Sequence, residues 1–306
     1  MMTKILVTGS GGCLGTALKD FSLRERPSYT EWIFLSHSQL DITQKEQVTA
    51  CLLAQRPAFL VNTAAFTNVN LAEEQPQQAY TLNGAAPQYL AEACAKTGTV
   101  LIHLSTDYVF DGQDSGQADH LRRTPYEPVD AVNPQGVYGK SKMTGEHAVL
   151  AYARGVVVRT SWLYSESPAS RNFLASIPKL LATKETPLCV EALQRNAPTY
   201  APHLARALSR MMEVGVQSGL YHGCGTGGCS RLEFAQKVRD AICRGKCPAW
   251  KSKREPVEVL PLREPVAGAP RPLYSVMSNQ SLVSLINEPI PTWEEAMEIF
   301  LWNVQL

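Results

Sequence analysis

The sequence predicts an α/β fold, a doubly wound parallel sheet followed by a smaller, loop-rich C-terminal lobe, and three observations carry the prediction. Short apolar runs alternate with helical patterns through the first half of the chain, as they do in βαβ units. A glycine loop, Thr8-Gly9-Ser10-Gly11-Gly12-Cys13-Leu14-Gly15, joins the first apolar run to the first helical pattern. Clusters of small and hydroxyl residues follow three of the strand-like runs, at the carboxyl ends where such sheets hold ligands.

Each element has its own reason. Lys4-Ile5-Leu6-Val7 suits a buried parallel strand, and Leu14, Ala17, Leu18 and Phe21 recur behind it at helical spacing. Trp32-Ile33-Phe34-Leu35 predicts a second strand and Phe59-Leu60-Val61-Asn62 a third, with Val48, Leu52 and Leu53 marking a helix between them. Ala86, Leu90, Ala93 and Cys94 follow the i, i+4, i+7, i+8 pattern of a helix that leads into the strand Val100-Leu101-Ile102-His103-Leu104. Val156-Val157-Val158-Arg159 is again strand-like. Past about residue 165 the pattern loosens, and Pro248, Pro256, Pro261, Pro265, Pro270 and Pro272 exclude long helices from their own stretch. One clear helix interrupts this part, its apolar face marked by Ala201, Leu204, Ala205, Leu208, Met211 and Met212.

Composition narrows the function classes. At 306 residues the chain can bury a large core, in one big domain or two. A formal charge of +1 with 19% charged residues and no basic stripe argues against a nucleic-acid partner. The densest basic stretch, Lys246 to Arg254, contains Pro248 and Trp250 and reads as a solvated loop. No apolar run approaches the roughly eighteen residues that span a bilayer. The chain enters a strand directly after Met1-Met2-Thr3, without a signal-peptide pattern, so a cytoplasmic protein is expected. Eight cysteines in such a chain read as free thiols. Cys224, Cys229, Cys243 and Cys247 cluster, but at spacings wider than the tight knuckles of zinc sites, and no metal is expected.

The chemistry centres on Tyr138 and Lys142, four residues apart in the run VYGKSK. That spacing places both on one helix face. A free phenol, with a pKa of about 10, exchanges protons poorly near neutrality, and an ammonium beside it favours the phenolate. The pair suits general acid/base work on a carbonyl or an alcohol. Gly9, Gly12 and Gly15 recur at three-residue intervals, a variant of the dinucleotide fingerprint in which backbone N–H groups reach a pyrophosphate from a helix N-terminus. The post-strand clusters are Asn62-Thr63-Ala64-Ala65, Ser105-Thr106-Asp107 and Ser161-Trp162. Alone, Ser105 and Thr106 would read as strand-end caps, and Asp107 reads equally as a cap or a substrate contact.

Together these residues carry a resemblance. TGSGGCLG, Leu40-Asp41-Ile42-Thr43, Asn62 to Thr67, Asn83, Ser105-Thr106-Asp107-Tyr108-Val109-Phe110-Asp111-Gly112, Tyr138 to Lys142 with Gly145-Glu146, Arg159 to Tyr164, Asn172-Phe173, Ala197-Pro198-Thr199 and Arg271-Pro272 resemble an extended short-chain dehydrogenase/reductase of Rossmann type. The likeness is greatest to the dTDP-4-dehydrorhamnose reductase group, which also includes the regulatory beta subunit of methionine adenosyltransferase. The resemblance implies reduction of a nucleotide-linked 4-keto-6-deoxysugar by NADPH, with NADH an allowed alternative. It implies Tyr138 as proton donor, Thr106 as hydrogen-bond donor to the substrate carbonyl, and Lys142 as partner of both the phenol and the nicotinamide ribose. It places Gly9, Gly12, Cys13, Leu14, Gly15, Ser36, His37, Asp41, Ile42, Ala64, Ala65, Thr67 and Ser105 on the cofactor with Tyr138 and Lys142. On the substrate side it places Ser105, Thr106, Asp107, Trp162, Asn172, Arg195 and Arg271, while Asn83 ties down the backbone near the site. The implied division is interleaved: residues 1–165 and about 195–222 for the dinucleotide, about 166–194 and 223–306 for the substrate. A homodimer stays open.

Three departures stand out. Ser36-His37-Ser38 occupies the place where NAD-selective folds carry an acid for the ribose 2′-OH, so nothing there repels a 2′-phosphate. Val69-Asn70 replaces the group's Val-Asp, and Ala192-Leu193-Gln194-Arg195-Asn196 replaces its acidic run and resembles the regulatory branch. A cofactor-binding regulatory subunit and a related epimerase or dehydratase therefore stand as alternative expectations.

Overall fold

A computed structural model of the chain describes residues 3–25, 30–114, 116–170, 172–251, 255–262 and 268–305. Met1-Met2, Lys253, Arg254 and Pro265, drawn on above, lie outside the described residues. The first half runs β1 (Thr3–Thr8), α1 (Cys13–Glu25), β2 (Thr30–Leu35), α2 (Lys45–Gln55), β3 (Phe59–Asn62), α3 (Val69–Glu74), α4 (Pro76–Tyr80), α5 (Ala86–Thr97), β4 (Val100–Thr106), α6 (Val137–Leu150) and β5 (Gly155–Thr160). It continues through β6 (Leu163–Tyr164), α7 (Phe173–Thr183), β7 (Leu188–Val190), β8 (Arg195–Asn196), β9 (Thr199–Tyr200), α8 (Ala201–Val214), β10 (Gly219–His222), β11 (Cys229–Ser230), α9 (Arg231–Cys243), β12 (Val259–Pro261), α10 (Gln280–Ile286) and α11 (Trp293–Asn303).

The main sheet has six strands in the order β10-β5-β4-β3-β1-β2. Every pairing within it is parallel, with Val7 opposite Phe34 on one side and Val61 on the other. Both faces are covered, which is why these strands read as apolar runs without polar alternation. Ile5, Val7, Val61, Ile102 and Val156 pack against α1 and α8. Leu6, Leu60, Leu101 and Val157 pack against α2, α5 and Val149 of α6. The five strands expected from apolar runs are all present, and β10 adds a sixth beside β5. Chain order reverses between β1 and β3, which makes this the crevice where a doubly wound sheet takes a ligand.

The helix expected around Ala201–Met212 is α8, and it lies on α1. Leu282 and Ile286 of α10 join the same core, so part of the segment after residue 223 packs with the sheet. A separate core gathers Leu174 and Ile177 of α7, Phe234 and Val238 of α9, and Phe300 and Leu301 of α11 around Tyr164. This lobe is more helical than the proline and glycine density suggested. Capping boxes start two of its helices, Ser230 with Glu233 for α9 and Thr292 with Glu295 for α11. The proline-rich stretch itself carries only β12 among the described residues.

All eight cysteines are free. Among the described residues no cluster of His, Cys, Asp or Glu is arranged to hold a metal, and no helix is long and apolar enough to cross a membrane.

Candidate active site

The glycine loop closes over the switch point. Gly9 has φ +69°, and a Cβ there would stand 2.6 Å from Ala64 N, so only glycine lets β1 turn against the segment after β3. A Cβ on Gly15 would meet Gly9 O at 2.5 Å, whereas one on Gly11 would meet nothing within 4 Å. The loop is thus closed toward β3 and α1 and open on its other side, above the first turn of α1. The Thr63 hydroxyl donates to Thr8 O at 2.7 Å and pins the crossing from beneath. Ser10 N donates to Leu35 O, which brings the turn after β2 alongside. In that turn Ser36 and Ser38 hydroxyls lie 2.9 Å apart, and His37 is exposed, 3.9 Å from the Asp41 carboxylate. Asp41 in turn accepts from the Thr43 N–H and hydroxyl. This cradle fits a dinucleotide: backbone donors at a helix N-terminus, a bare glycine face, and hydroxyls where a ribose phosphate would lie.

Past β3 the chain is held by Asn83. The helical run widens to a π turn over Thr81–Ala85, which turns Asn83 inward. Its amide accepts from Phe66 N at 2.8 Å and donates to Phe66 O and to the Ser141 hydroxyl. Segment 64–67 is thereby fixed to α6, the structural duty expected of Asn83.

Helix α6 is capped by Gly136, and its first N–H, that of Val137, donates to the Glu73 carboxylate at 2.7 Å. Tyr138 sits in its first turn, edge-on to Tyr108 with ring centroids 5.6 Å apart. Burial holds the Tyr138 phenol well above its ordinary pKa, and a hydrogen bond with the Thr106 hydroxyl offsets this in part. Thr106 itself lies at the end of β4, buried, and accepts from Tyr108 N. Lys142 is one turn further on and 2% exposed. Its Nζ donates to Leu104 O at 2.6 Å and lies 3.3 Å from His103 Nε2. Burial lowers its pKa to about 8, against a smaller opposing pull from the Glu146 carboxylate. The expected electrostatic depression of the phenol by Lys142 is therefore corrected: the ammonium is aimed into β4, and burial decides the state of Tyr138.

Under this helix Glu146 and Arg159 form a buried two-point ion pair at 2.9 and 2.7 Å, and the Ser105 hydroxyl donates to the same carboxylate. Ser105 is thus engaged in the floor of the site. Asp107, also buried, accepts from Asn196 Nδ2 and the Ser275 hydroxyl, both at 2.6 Å. Its carboxyl is raised in pKa by burial, against the pull of those donors. Asp107 therefore stitches the end of β4 to the second lobe.

An aromatic and cationic group gathers around Tyr108. Trp162 has φ +40°, a strained backbone for a bulky residue, and its indole N–H is buried without a partner. The Arg231 guanidinium lies 5.0 Å over the Trp162 ring. Burial raises the Tyr108 phenol, as does Asp107, while Arg231 and Arg271 pull it down. Arg271 hydrogen-bonds Tyr108 and donates to Asn70 Oδ1 at 2.9 Å. The Nε atoms of both arginines are buried and unpartnered.

A family model described as the RmlD substrate binding domain matches residues 2–306. The chain belongs to that family. A dTDP-4-dehydrorhamnose reductase of Mycobacterium tuberculosis is 36% identical over 295 residues, 96% of this chain and 91% of that protein. The solved dTDP-4-dehydrorhamnose reductase of Bacillus anthracis, in complex with NADP, superposes with a TM-score of 0.85 at 30% identity, over 98% of this chain and 99% of that one. A Clostridium acetobutylicum orthologue gives 0.84 at 31%, over 98% of each chain. The fold is the Rossmann-like extended short-chain dehydrogenase/reductase.

Within this family member the expected residues divide into two groups. Gly9, Gly12 and Gly15 stand at the loop, Ala64 lies against Gly9, Ala65 and Thr67 follow it in the segment after β3, and Thr106 meets Tyr138 at the carboxyl edge of the sheet with Lys142 one turn along α6. Leu14 and Ile42 turn their side chains into the two sheet cores, and Cys13 Sγ packs 3.5 Å from the Ser165 hydroxyl. Two expected substrate contacts carry local duties. Asn172 caps α7, accepting from Ala175 N and donating to Leu163 O. Arg195 pairs with Glu233 at 2.9 Å and also donates to Gly228 O. Sequence reasoning passed over Arg231, Tyr108 and His103. Only His103 left a signal, as a lone imidazole inside an apolar strand.

Proposed function

We propose that the chain reduces dTDP-4-dehydrorhamnose at its 4-keto group, using NADPH with NADH as an allowed alternative. The observation that carries this reading is the meeting of Thr106 and Tyr138 hydroxyls at the sheet's carboxyl edge, one helical turn from Lys142, in a full-length relative of enzymes bearing that name. The glycine cradle would hold the pyrophosphate, and Ser36, His37 and Ser38 would face the ribose phosphate. When bound, the cofactor supplies a hydride to the carbonyl carbon.

The chain's own residues manage the oxygen. Negative charge grows on it as the carbon is reduced, and Thr106 and Tyr138 are two hydroxyl donors already positioned beside one another. Because burial keeps the Tyr138 phenol protonated at neutral pH, it enters the reaction as an acid and gives its proton to the nascent alkoxide. The buried surroundings of Thr106 and Lys142 exclude water and strengthen each of these interactions. The diphosphate of the sugar nucleotide would meet Arg271 and Arg231, whose planar guanidinium groups suit paired oxygens. Residues 1–165 with about 195–222 serve the dinucleotide in this reading. Residues about 166–194 and 223–306 serve the sugar nucleotide, apart from α10, which packs on the sheet core. A cytoplasmic enzyme acting on soluble sugar nucleotides fits this chemistry.

The test is direct. Mixing the protein with NADPH and a dTDP-4-keto-6-deoxyhexose should bleach the nicotinamide absorbance band. No oxidation with that substrate, nor with its GDP, UDP and CDP counterparts, would overturn the reading in favour of a cofactor-binding subunit.

A further inference from the structure

A buried polar chain runs from the glycine loop to the catalytic lysine across three strands. Thr8 at the end of β1 donates to Asn62 Oδ1 at 2.7 Å, Asn62 Nδ2 lies 2.9 Å from His103 Nδ1, and His103 Nε2 lies 3.3 Å from Lys142 Nζ. Asn62 and His103 are fully buried, out of contact with bulk solvent.

The donors can be assigned atom by atom. The Ala64 backbone N–H, which can only donate, points at Asn62 Oδ1 at 3.2 Å. That contact and the Thr8 hydroxyl fix the amide oxygen on the β1 side, leaving the Asn62 NH₂ to face His103. His103 Nδ1 must then accept, and the ring's single proton sits on Nε2, directed at the lysine. An N–H facing an ammonium sets donor against donor. Facing a neutral amine, it finds a lone pair, while the amine's own N–H still reaches Leu104 O.

We propose that His103 is a positioning residue for Lys142: held by Asn62 as the Nε2–H tautomer, it donates to the lysine nitrogen and favours the unprotonated amine. The groups bearing on Lys142 are consistent with this. Glu146, one turn along α6, is paired with Arg159 of β5 and bonded by Ser105 of β4. Asp107 and Tyr108, beyond β4, act on Tyr138. His103 is itself kept neutral, its pKa lowered by burial first and by the Lys142 charge second. The inference builds on the role given to Lys142 above, but its test needs no turnover.

The full-length protein, labelled with ¹⁵N-histidine and ¹³Cε-lysine and without added nucleotide, is titrated by NMR. His103 is identified against His103→Gln and Lys142 against Lys142→Met. The imidazole should report the Nε2–H tautomer, and Lys142 should titrate well below the ordinary lysine value of about 10.4. In His103→Gln the amide is free to turn its oxygen toward the ammonium, so the lysine titration should rise by about one pH unit, tenfold in proton affinity. Asn62→Asp should switch the imidazole to the Nδ1–H tautomer and move the lysine in the same direction. An Nδ1–H tautomer in the wild type would overturn the proposal, as would a lysine titration unmoved in a folded His103→Gln protein. Should neither variant fold, the wild-type tautomer alone decides.

Discussion

Replacing Tyr138 with phenylalanine removes one oxygen and leaves the rest of the site in place. The ring keeps its edge-on contact with Tyr108, because that contact involves no hydroxyl. Loss of a positioned general acid costs about 10²–10⁴ in rate. Two features of the structure put this case in the lower half of that range. The Thr106 hydroxyl remains as a donor to the developing oxyanion. The buried phenol, raised in pKa, is a weak acid whose driving force for proton transfer at neutral pH is modest. A fall in kcat of about 10²–10³ is expected, or about 3–4 kcal/mol of transition-state stabilisation. The lost hydrogen bond should change folding stability by only about 1 kcal/mol. Initial rates of NADPH oxidation at saturating dTDP-4-keto sugar measure the first quantity, and NADPH titration of the variant should match the wild type. A Tyr138→Phe enzyme within about threefold of wild-type kcat, with chemistry shown to limit the rate, would refute the assignment of the acid.

Three further outcomes are expected. NADPH should bind at least as tightly as NADH by calorimetry, since Ser36, His37 and Ser38 place no carboxylate at the end of β2; a tenfold preference for NADH would contradict this. Arg271→Ala should raise KM for the sugar nucleotide by about 10–100-fold, as loss of a charge-assisted hydrogen bond does, with little change in kcat. Glu146→Ala should cost about 3–5 kcal/mol in denaturant unfolding, because Arg159 would be left as an uncompensated buried charge.

How far the fold could be read in advance follows from what each element depends on. The five strands from β1 to β5 announce themselves because the sheet is covered on both faces, so each carries a run of consecutive apolar residues. β10 is four residues, Gly219 to His222, and becomes a strand only by pairing with β5. Helices α9 and α11 lie among glycines and prolines that suggest loops, yet Ser230-x-x-Glu233 and Thr292-x-x-Glu295 were capping signatures in plain view. In the site, Tyr138 and Lys142 are legible because their relation is local, one helical turn. The role of His103 depends on Asn62, 41 residues away, and no spacing rule reaches that far. Arg195 and Asn172 show the converse. Their residue types suit a diphosphate or a sugar, but Glu233 and the first turn of α7 take up their polar atoms.

The departure at Asn70 gains a physical meaning from the same comparison of neighbours. Asn70 Oδ1 accepts from Arg271 at 2.9 Å and from Ala269 N at 3.1 Å, joining the first turn of α3 to the Arg-Pro segment. Its side chain fills the space beside Gly268, where a Cβ would come within 2.6 Å of the amide oxygen. An aspartate at this position could accept the same two bonds, but its charge would also neutralise the guanidinium. The neutral amide keeps the geometry and leaves the positive charge of Arg271, beside Tyr108, uncompensated by this neighbour. The nearby Arg231 adds a second cation, held over Trp162. Under the proposed function, the change from acid to amide would strengthen anion recognition on the sugar-nucleotide side. It leaves Thr106, Tyr138 and Lys142, anchored on β4 and α6, unaltered.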